Sequence, residues 1–324
     1  MAYAAPRMVA GLNVDAIVAS SILIVGAPRS GTTWLAKIFD SHPTVLYRHE
    51  PDEMVPATGS IRQDMARWVE QRDARTAAKR PLFRKSWQTA PAWVARSGLA
   101  YAATAAARIG LTGWRVPDLG NPGHARVVVK SVRLSSGIGE FSRACPAGRA
   151  VLIVRHPCGQ VASVMRGAST GRFALATPGT DMPFDEAAAI RFAACHGVDG
   201  PAFQQLPDAA KYAWSWRAFN ETALAAIAGL SNARVVAYET LCADPAAQAR
   251  DIMAFCGLAW HRQTAQFVAR STNHAGPGGY YAVLRKSRSA AEHWRSTMPP
   301  EAQAAVLAVV TGSPLQRYLS PGCG

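Results

Sequence analysis

The chain has 324 residues, of which 49% are hydrophobic and 17% are charged. This composition supports a sizeable buried core and excludes an intrinsically disordered protein. The net charge of +14 favours anionic ligands without choosing among them.

The cysteines and the N-terminus indicate the cellular compartment in which the protein is expected. The six cysteines show neither a C-x-x-C pair nor a zinc-ligand spacing, so we expect buried free thiols and no bound metal. No run of about 18 apolar residues suits a membrane span, and residues near Arg7 lack the apolar segment of a secretory signal. We therefore expect a cytoplasmic protein that forms one domain over residues 1–324, with residues 1–19 flexible.

The first chemical signal follows a predicted strand at 22–26. The string Gly26-Ala-Pro-Arg-Ser-Gly-Thr-Thr-Trp34 leads into a predicted helix at 32–40, so backbone N–H groups and the helix N-terminus can face an anion. The glycines keep the G-x-x-x-x-G spacing of a Walker loop. Thr32 and Thr33 stand where a nucleoside-triphosphate enzyme carries lysine followed by serine or threonine, which predicts a phosphate site but not a triphosphate site.

A second predicted strand at 44–48 precedes Arg48-His-Glu-Pro-Asp52. The carboxyl ends of parallel strands are where α/β sheets place their chemistry. After it, 61–126 interrupts the strand–helix alternation and carries 12 Lys+Arg against four acids from Arg62 onward. We expect 61–126 to be an acceptor-side insertion; helical packing by Ile61, Met65, Trp68 and Val69, or contact with an anionic membrane surface, are the alternatives.

Three further strands are predicted at 126–130, 150–154 and 233–237, and helices at 157–168, 208–228, 244–256 and 300–311. Lys130 ends the first of these strands, and Arg155-His-Pro157 follows the second and opens the helix that contains Ser163. Tyr238 follows the third strand. The pattern predicts an α/β fold of three layers, P-loop-type, around a central parallel sheet.

The string PRSGTTW resembles the 5′-phosphosulfate loop of sulfotransferases, enzymes that use 3′-phosphoadenosine 5′-phosphosulfate (PAPS). The R-H-P string with Ser163 is similar to the family's 3′-phosphate motif, and Tyr238-Glu239 to its late-strand motif on the adenine side. Leu284-Arg-Lys-Ser-Arg288 with His293-Trp294 resembles a segment that closes over the 3′-phosphate, although Ser287 replaces a glycine. The resemblance implies a cofactor site made of Arg29, Ser30, Gly31, Thr32, Thr33, Trp34, Arg155, Ser163, Tyr238, Arg285, Lys286 and Ser287.

The resemblance also implies the chemistry. A glutamate in an E-P string serves as base in carbohydrate-type members, which makes Glu50 the candidate. The aryl type uses a histidine from a K-T-H string, and Val129-Lys130-Ser131 here keeps only the lysine. This departure favours Glu50 over a histidine base, with His49 as the reserve. Lys130 and Arg29 would stabilise the sulfuryl group and the bridging oxygen; a structural Glu50–Lys130 ion pair is the alternative.

The implied function is metal-independent, in-line sulfuryl transfer from PAPS to a hydroxyl on a small molecule, a carbohydrate or a glycolipid. Two rivals remain. A P-loop kinase using ATP lacks its lysine here, and a polyanion or nucleic-acid binder would rest on basicity alone, without a nucleic-acid-binding signature. We expect no nucleic-acid partner.

Overall fold

The computed structural model describes residues 14–70, 81–108, 125–169, 185–273 and 287–318. Its centre is a parallel five-stranded sheet in the order β2-β3-β1-β4-β5. The strands are β1 Ile22–Val25, β2 Val45–His49, β3 Arg126–Ser131, β4 Arg149–Val154 and β5 Ala233–Ala237. All five predicted strands are confirmed, with every boundary within one residue.

The strands form because continuous runs of β-branched and aliphatic residues suit a parallel sheet that is buried on both faces. The register places Ile24 beside Lys130 on one side and beside Val151 on the other. His49 is in turn paired with Lys130. The carboxyl ends of β1, β2 and β3 therefore lie together at one edge of the sheet.

The five predicted helices are also present, as Thr32–Asp40, Pro157–Ser169, Asp208–Ala226, Pro245–Phe255 and Pro300–Val310. The helix that begins at Pro245 is capped by Asp244, whose carboxylate accepts from the Ala247 N–H at 3.1 Å. The remaining helices are Val14–Ala19, Pro51–Met54, Ile61–Glu70, Ala90–Arg108, Gly137–Ala144, Glu186–Ala194, Gly200–Gln205, Tyr238–Ala243, Arg262–Asn273, Ser287–Glu292 and Trp294–Thr297, with a 3₁₀ turn at Pro314–Tyr318.

Alternate residues of the strands feed two separate hydrophobic clusters. Ile22 and Ile24 pack on one face of the sheet, against the helix Thr32–Asp40. Leu23 and Val25 pack on the other face. The result is the predicted three-layer α/β architecture.

Three features bear on the expectations. Residues 14–19, the end of the segment expected to be flexible, form a helix whose Ile17 and Val18 are buried. In the 61–126 segment, Met65 and Trp68 are fully buried in the second cluster, which favours the packing alternative for the helix Ile61–Glu70. Cys195 is exposed, unlike the other described cysteines.

Within the described part of the chain, no helix is both long enough and apolar enough to cross a bilayer.

Candidate active site

The loop between β1 and its helix has a backbone shaped for an anion. Arg29 and Gly31 have φ angles of 71° and 91°, and left-handed residues of this kind occur in loops whose backbone N–H groups bind anions. Gly31 is also required sterically, because a Cβ there would lie 2.5 Å from Cδ2 of Tyr238. At Gly26, a Cβ would lie 2.6 Å from the Ile153 carbonyl oxygen of β4. Both glycines therefore permit close approaches that hold the loop against the sheet.

Side chains from the segment that follows β4 hold the loop in place. Arg155 Nη1 donates to the Arg29 carbonyl at 3.1 Å, and Gln160 Nε2 donates to the Pro28 carbonyl at 2.8 Å. Arg29 Nε donates to Ser163 Oγ at 3.1 Å. The two candidate anion motifs, far apart in sequence, are thus in direct contact.

One polar atom in the loop points to a ligand. Ser30 is fully buried, and its Oγ has no hydrogen-bond partner among the described residues. A buried hydroxyl without a partner is costly, and an anion held by the loop would supply one. Thr32 is buried and Thr33 half-buried at the start of the helix, so this loop fits a phosphate or phosphosulfate group.

Tyr238 supports the loop from beneath. Its ring is 8% exposed, the Arg155 guanidinium lies 4.8 Å from the ring centroid, and Trp34 meets it edge-on at 6.2 Å. The Trp34 indole N–H donates to Ser271 Oγ at 3.1 Å, so Trp34 lies in the core behind the loop. Tyr238 itself begins a helix rather than ending a strand.

His156 and Trp294 stack at 4.4 Å beside Arg155. Burial, and next the charges of Arg295 and Arg155, lower the pKa of His156 to about 4. His156 is therefore neutral at physiological pH, with Nδ1 accepting from the Cys158 N–H at 3.2 Å. Its role is to hold the strand-to-helix turn.

Glu50 lies at the carboxyl end of β2. Its φ of 44° is left-handed, its N–H donates to the Lys130 carbonyl at 2.8 Å, and its Oε1 accepts from Lys130 Nζ. His49 Nε2 lies 3.9 Å from Glu50 Oε2. The Glu50 side chain is 19% exposed whereas that of Lys130 is 2% exposed, so the carboxylate faces the edge of the sheet and the ammonium lies behind it.

The Asp52 carboxyl is buried beside β3. Asp52 is 7% exposed and its Oδ2 accepts from Ser131 Oγ at 2.6 Å. Burial raises the pKa of Asp52, although the bond from Ser131 and the charge of Arg133 oppose it. The turn Pro51–Met54 directs this carboxyl back onto β3, where it anchors the backbone after Glu50.

Several predicted residues fall elsewhere. Arg285 and Lys286 lie outside the described residues, and Ser287 begins the helix Ser287–Glu292. Sequence reasoning missed Tyr47, Gln160 and the Glu239 carboxylate, which accepts from the His156 N–H at 3.0 Å. Tyr47 could have been found by strand periodicity, since it shares a face of β2 with His49. Gln160 and Ser163 are three residues apart and share a helix face.

Cationic side chains outnumber anionic ones among the candidate site residues at the carboxyl edge of the sheet. They are Arg29, Arg155 and Lys130, and they lie on the same edge as Glu50. Within the described residues, no group of three or more His, Cys, Asp or Glu side chains is arranged to hold a metal. The arrangement can bind a doubly anionic ligand and offer one carboxylate as a proton acceptor.

Comparisons with known proteins bear on the family. No curated protein matches the chain significantly. Among solved structures, the chain is similar to a sulfotransferase domain from the curacin biosynthetic pathway (16% identity, TM-score 0.47, 90% of this chain and 95% of that chain). It is also similar to a sulfotransferase domain from the Synechococcus PCC 7002 olefin synthase (18%, 0.45, 89% and 92%) and to a mouse sulfotransferase complexed with PAP (14%, 0.44, 90% and 84%). These similarities are low, and the assignment rests on the family match.

The model of the sulfotransferase family matches residues 21–262, which is more than half of the chain and contains the phosphate-type loop, Glu50, Lys130, Arg155 and Tyr238. The chain therefore belongs to the sulfotransferase family, and its general activity is sulfuryl transfer.

Proposed function

We propose that this sulfotransferase moves the sulfuryl group of PAPS to a hydroxyl of a carbohydrate or glycolipid, with Glu50 as the base. One observation carries the proposal. Among the described residues, Arg29 and Glu50 alone combine a side chain with a left-handed φ, a conformation that costs about 1–3 kcal/mol and concentrates at functional sites. Both lie at carboxyl ends of the sheet.

The proposed cofactor site has two adjacent anion positions. The loop of Arg29, Ser30, Gly31, Thr32 and Thr33 would hold the 5′-phosphosulfate. Arg155 and Ser163 would hold the 3′-phosphate, and Tyr238 with Trp34 behind it would border the adenine side. Arg285, Lys286 and Ser287 remain proposed closing residues.

When bound, PAPS supplies a sulfuryl group already attached to a leaving phosphate. Glu50 takes the proton of the acceptor hydroxyl as the new oxygen–sulfur bond forms and the bond between sulfur and the bridging oxygen breaks. Lys130 keeps the carboxylate ionised until then and is placed to attract sulfuryl oxygens. Arg29 and the helix N-terminus stabilise the charge that develops on the leaving phosphate.

The acceptor-side surface includes the helix Ala90–Arg108, whose Val94, Leu99 and Tyr101 are 62%, 46% and 66% exposed. From residue 74 to residue 117 the sequence holds basic residues and no acid. Exposed apolar groups beside cations suit the apolar part of a glycolipid at an anionic membrane surface. We propose this role for the part of 61–126 beyond the buried helix Ile61–Glu70, within a single domain.

Thermal stabilisation tests the cofactor. 3′-Phosphoadenosine 5′-phosphate (PAP) should raise the melting temperature far more than AMP, ADP or ATP, because only a 3′-phosphate fills the position of Arg155 and Ser163. Sulfate transfer from PAPS to glycolipid and simple sugar acceptors then tests the reaction. Equal stabilisation by ATP would refute the cofactor assignment and favour a P-loop kinase.

A further inference from the structure

Behind Glu50, two side chains on the same face of β2 form a buried pair. Tyr47 OH and His49 Nδ1 are 2.5 Å apart, and the rings meet edge-on at 5.8 Å. Tyr47 is 1% exposed and His49 4% exposed. Neither the cofactor loop nor the proposed base requires such a pair, so its placement needs an explanation.

Tyr47 can donate in this pair. Burial, followed by the negative charges of Glu50 and Asp40, raises the pKa of Tyr47 well above its ordinary value. Lys37, whose Nζ lies 5.6 Å from the centre of the Tyr47 ring, is itself paired with Asp40 at 2.7 Å. The phenol therefore keeps its hydrogen and is able to donate it in a hydrogen bond to Nδ1.

The contact with Tyr47 on one side and the Glu50 carboxylate on the other together favour one tautomer of His49. A neutral imidazole whose Nδ1 accepts a hydrogen bond carries its own hydrogen on Nε2. Nε2 is the atom that faces Glu50 Oε2, at 3.9 Å. That distance is too long for a direct hydrogen bond but short enough for the N–H dipole to attract the carboxylate.

Among the described residues, the groups around Glu50 include members of three elements. Lys130 of β3 binds Oε1, and His49 of β2 faces Oε2. Asp52, in the helix Pro51–Met54, is a nearby carboxyl, and the negative charge of Glu50 contributes to raising the pKa of Asp52. If His49 Nε2 carries a hydrogen, it presents an N–H and not a lone pair to Glu50. This N–H then favours the ionised form of Glu50, as the Lys130 ammonium does.

We propose that Tyr47 and His49 are positioning residues: Tyr47 locks His49 in the Nε2–H tautomer, so that His49 cannot act as the base and instead holds Glu50 ionised and oriented for proton uptake. The proposal rests on the proposed function of Glu50. It also decides between Glu50 and His49, because a protonated Nε2 has no lone pair for the acceptor hydroxyl.

Tyr47→Phe tests the proposed effect of Tyr47 on the His49 tautomer, because it removes the hydroxyl and keeps the ring. Without the phenol, His49 can carry its hydrogen on Nδ1 and turn a lone pair toward Glu50 Oε2, which raises the pKa of Glu50. The acidic limb of the kcat/KM profile should move up by about one pH unit, a tenfold loss on that limb with little change at high pH. Tyr212→Phe, at a half-buried tyrosine of the helix Asp208–Ala226, is the matched control and should leave the profile unchanged.

Nitrogen NMR of the labelled wild-type protein provides a readout that does not need activity. The His49 signals should show hydrogen on Nε2, and Tyr47→Phe should populate the other tautomer. His49→Gln, which keeps an N–H donor near the Nε2 position, should retain more activity than His49→Leu.

Hydrogen on Nδ1 in the wild type, or a Tyr47→Phe profile that overlays the wild type, would overturn the inference. If Tyr47→Phe does not fold, the wild-type tautomer decides. Full turnover by Glu50→Gln would instead refute the proposed base, and the NMR result would still report on the pair separately.

Discussion

Glu50→Gln should separate a catalytic carboxylate from a structural ion pair. The amide keeps the volume of the side chain but cannot accept the acceptor's proton. If Glu50 is the base, kcat should fall by about 10²–10⁴-fold, the usual contribution of a positioned general base. KM for PAPS should change little, because Glu50 lies at the end of β2 while the cofactor loop follows β1.

The same substitution must also disturb stability. Lys130 is 1% exposed and loses its charged partner, and breaking a buried pair costs about 3–5 kcal/mol. The amide oxygen can still accept from the ammonium, a bond to a charged group that is worth about 1.5–3 kcal/mol. The net loss should therefore be on the order of 2 kcal/mol, which lowers the melting temperature by a few degrees without unfolding the protein.

Lys130→Met in the Glu50→Gln background removes the stranded ammonium and separates the two effects. The double variant should recover stability but not turnover, since the base remains absent. Melting curves, PAP affinity by calorimetry and single-turnover transfer from PAPS measure the three quantities. Turnover of Glu50→Gln within threefold of wild type, or recovery of turnover in the double variant, would refute the role of Glu50 as base.

Three further outcomes follow from the geometry. Ser163→Ala should weaken PAP binding by about 1.5–3 kcal/mol. Gly159→Ala should weaken it too, because a Cβ there lies 3.0 Å from Arg155 Nε, whereas the control Gly200→Ala, with open space around it, should not. Calorimetry that finds Ser163→Ala and Gly159→Ala equal to wild type contradicts the 3′-phosphate site. Transfer should proceed in EDTA, since Arg29 and Lys130 supply the positive charge; activity lost on chelation and restored by magnesium would contradict this. For His156, the pKa of about 4 in the fold lies below that of an unfolded histidine, about 6.5. The contribution of neutral His156 to the free energy of unfolding is therefore complete above about pH 6.5 and is lost as the pH falls toward 4, a loss of about 3 kcal/mol. His156→Asn, which keeps an acceptor for the helix N-terminus, should flatten this pH dependence in denaturant titrations, and an unchanged slope would contradict it.

The sheet could be predicted because a strand buried on both faces needs an unbroken apolar run, and the runs of β1, β3 and β4 end at a glycine or a charge, namely Gly26, Lys130 and Arg155. The loop after β1 was predictable for the same local reason, since Gly26 and Gly31 have steric roles that the spacing already indicates. The proximity of Glu50 and Lys130 also follows from the sequence once β2 and β3 are taken as neighbouring parallel strands.

The direction of Asp52 could not be predicted, because it depends on the backbone angle of the preceding residue. Glu50 adopts a φ of 44°, which a non-glycine residue rarely does and which turns the chain so that Asp52 meets Ser131. The Tyr47–His49 contact was missed for a different reason: the strand alternation places both side chains on one face but does not say which ring nitrogen receives the hydroxyl.

The two left-handed residues share a structural logic. The carbonyl of Arg29 accepts from Arg155 of the strand end next to it, and the N–H of Glu50 donates to Lys130 of the strand next to it. The Arg155 guanidinium thus holds the backbone of Arg29, and the main-chain carbonyl of Lys130 holds that of Glu50. Lys130 also binds the Glu50 carboxylate, so one residue holds both the main chain and the side chain of the proposed base. Strain at such positions persists only where the surroundings over-determine it, and here the Arg155 side chain and both the main chain and the side chain of Lys130 supply those constraints.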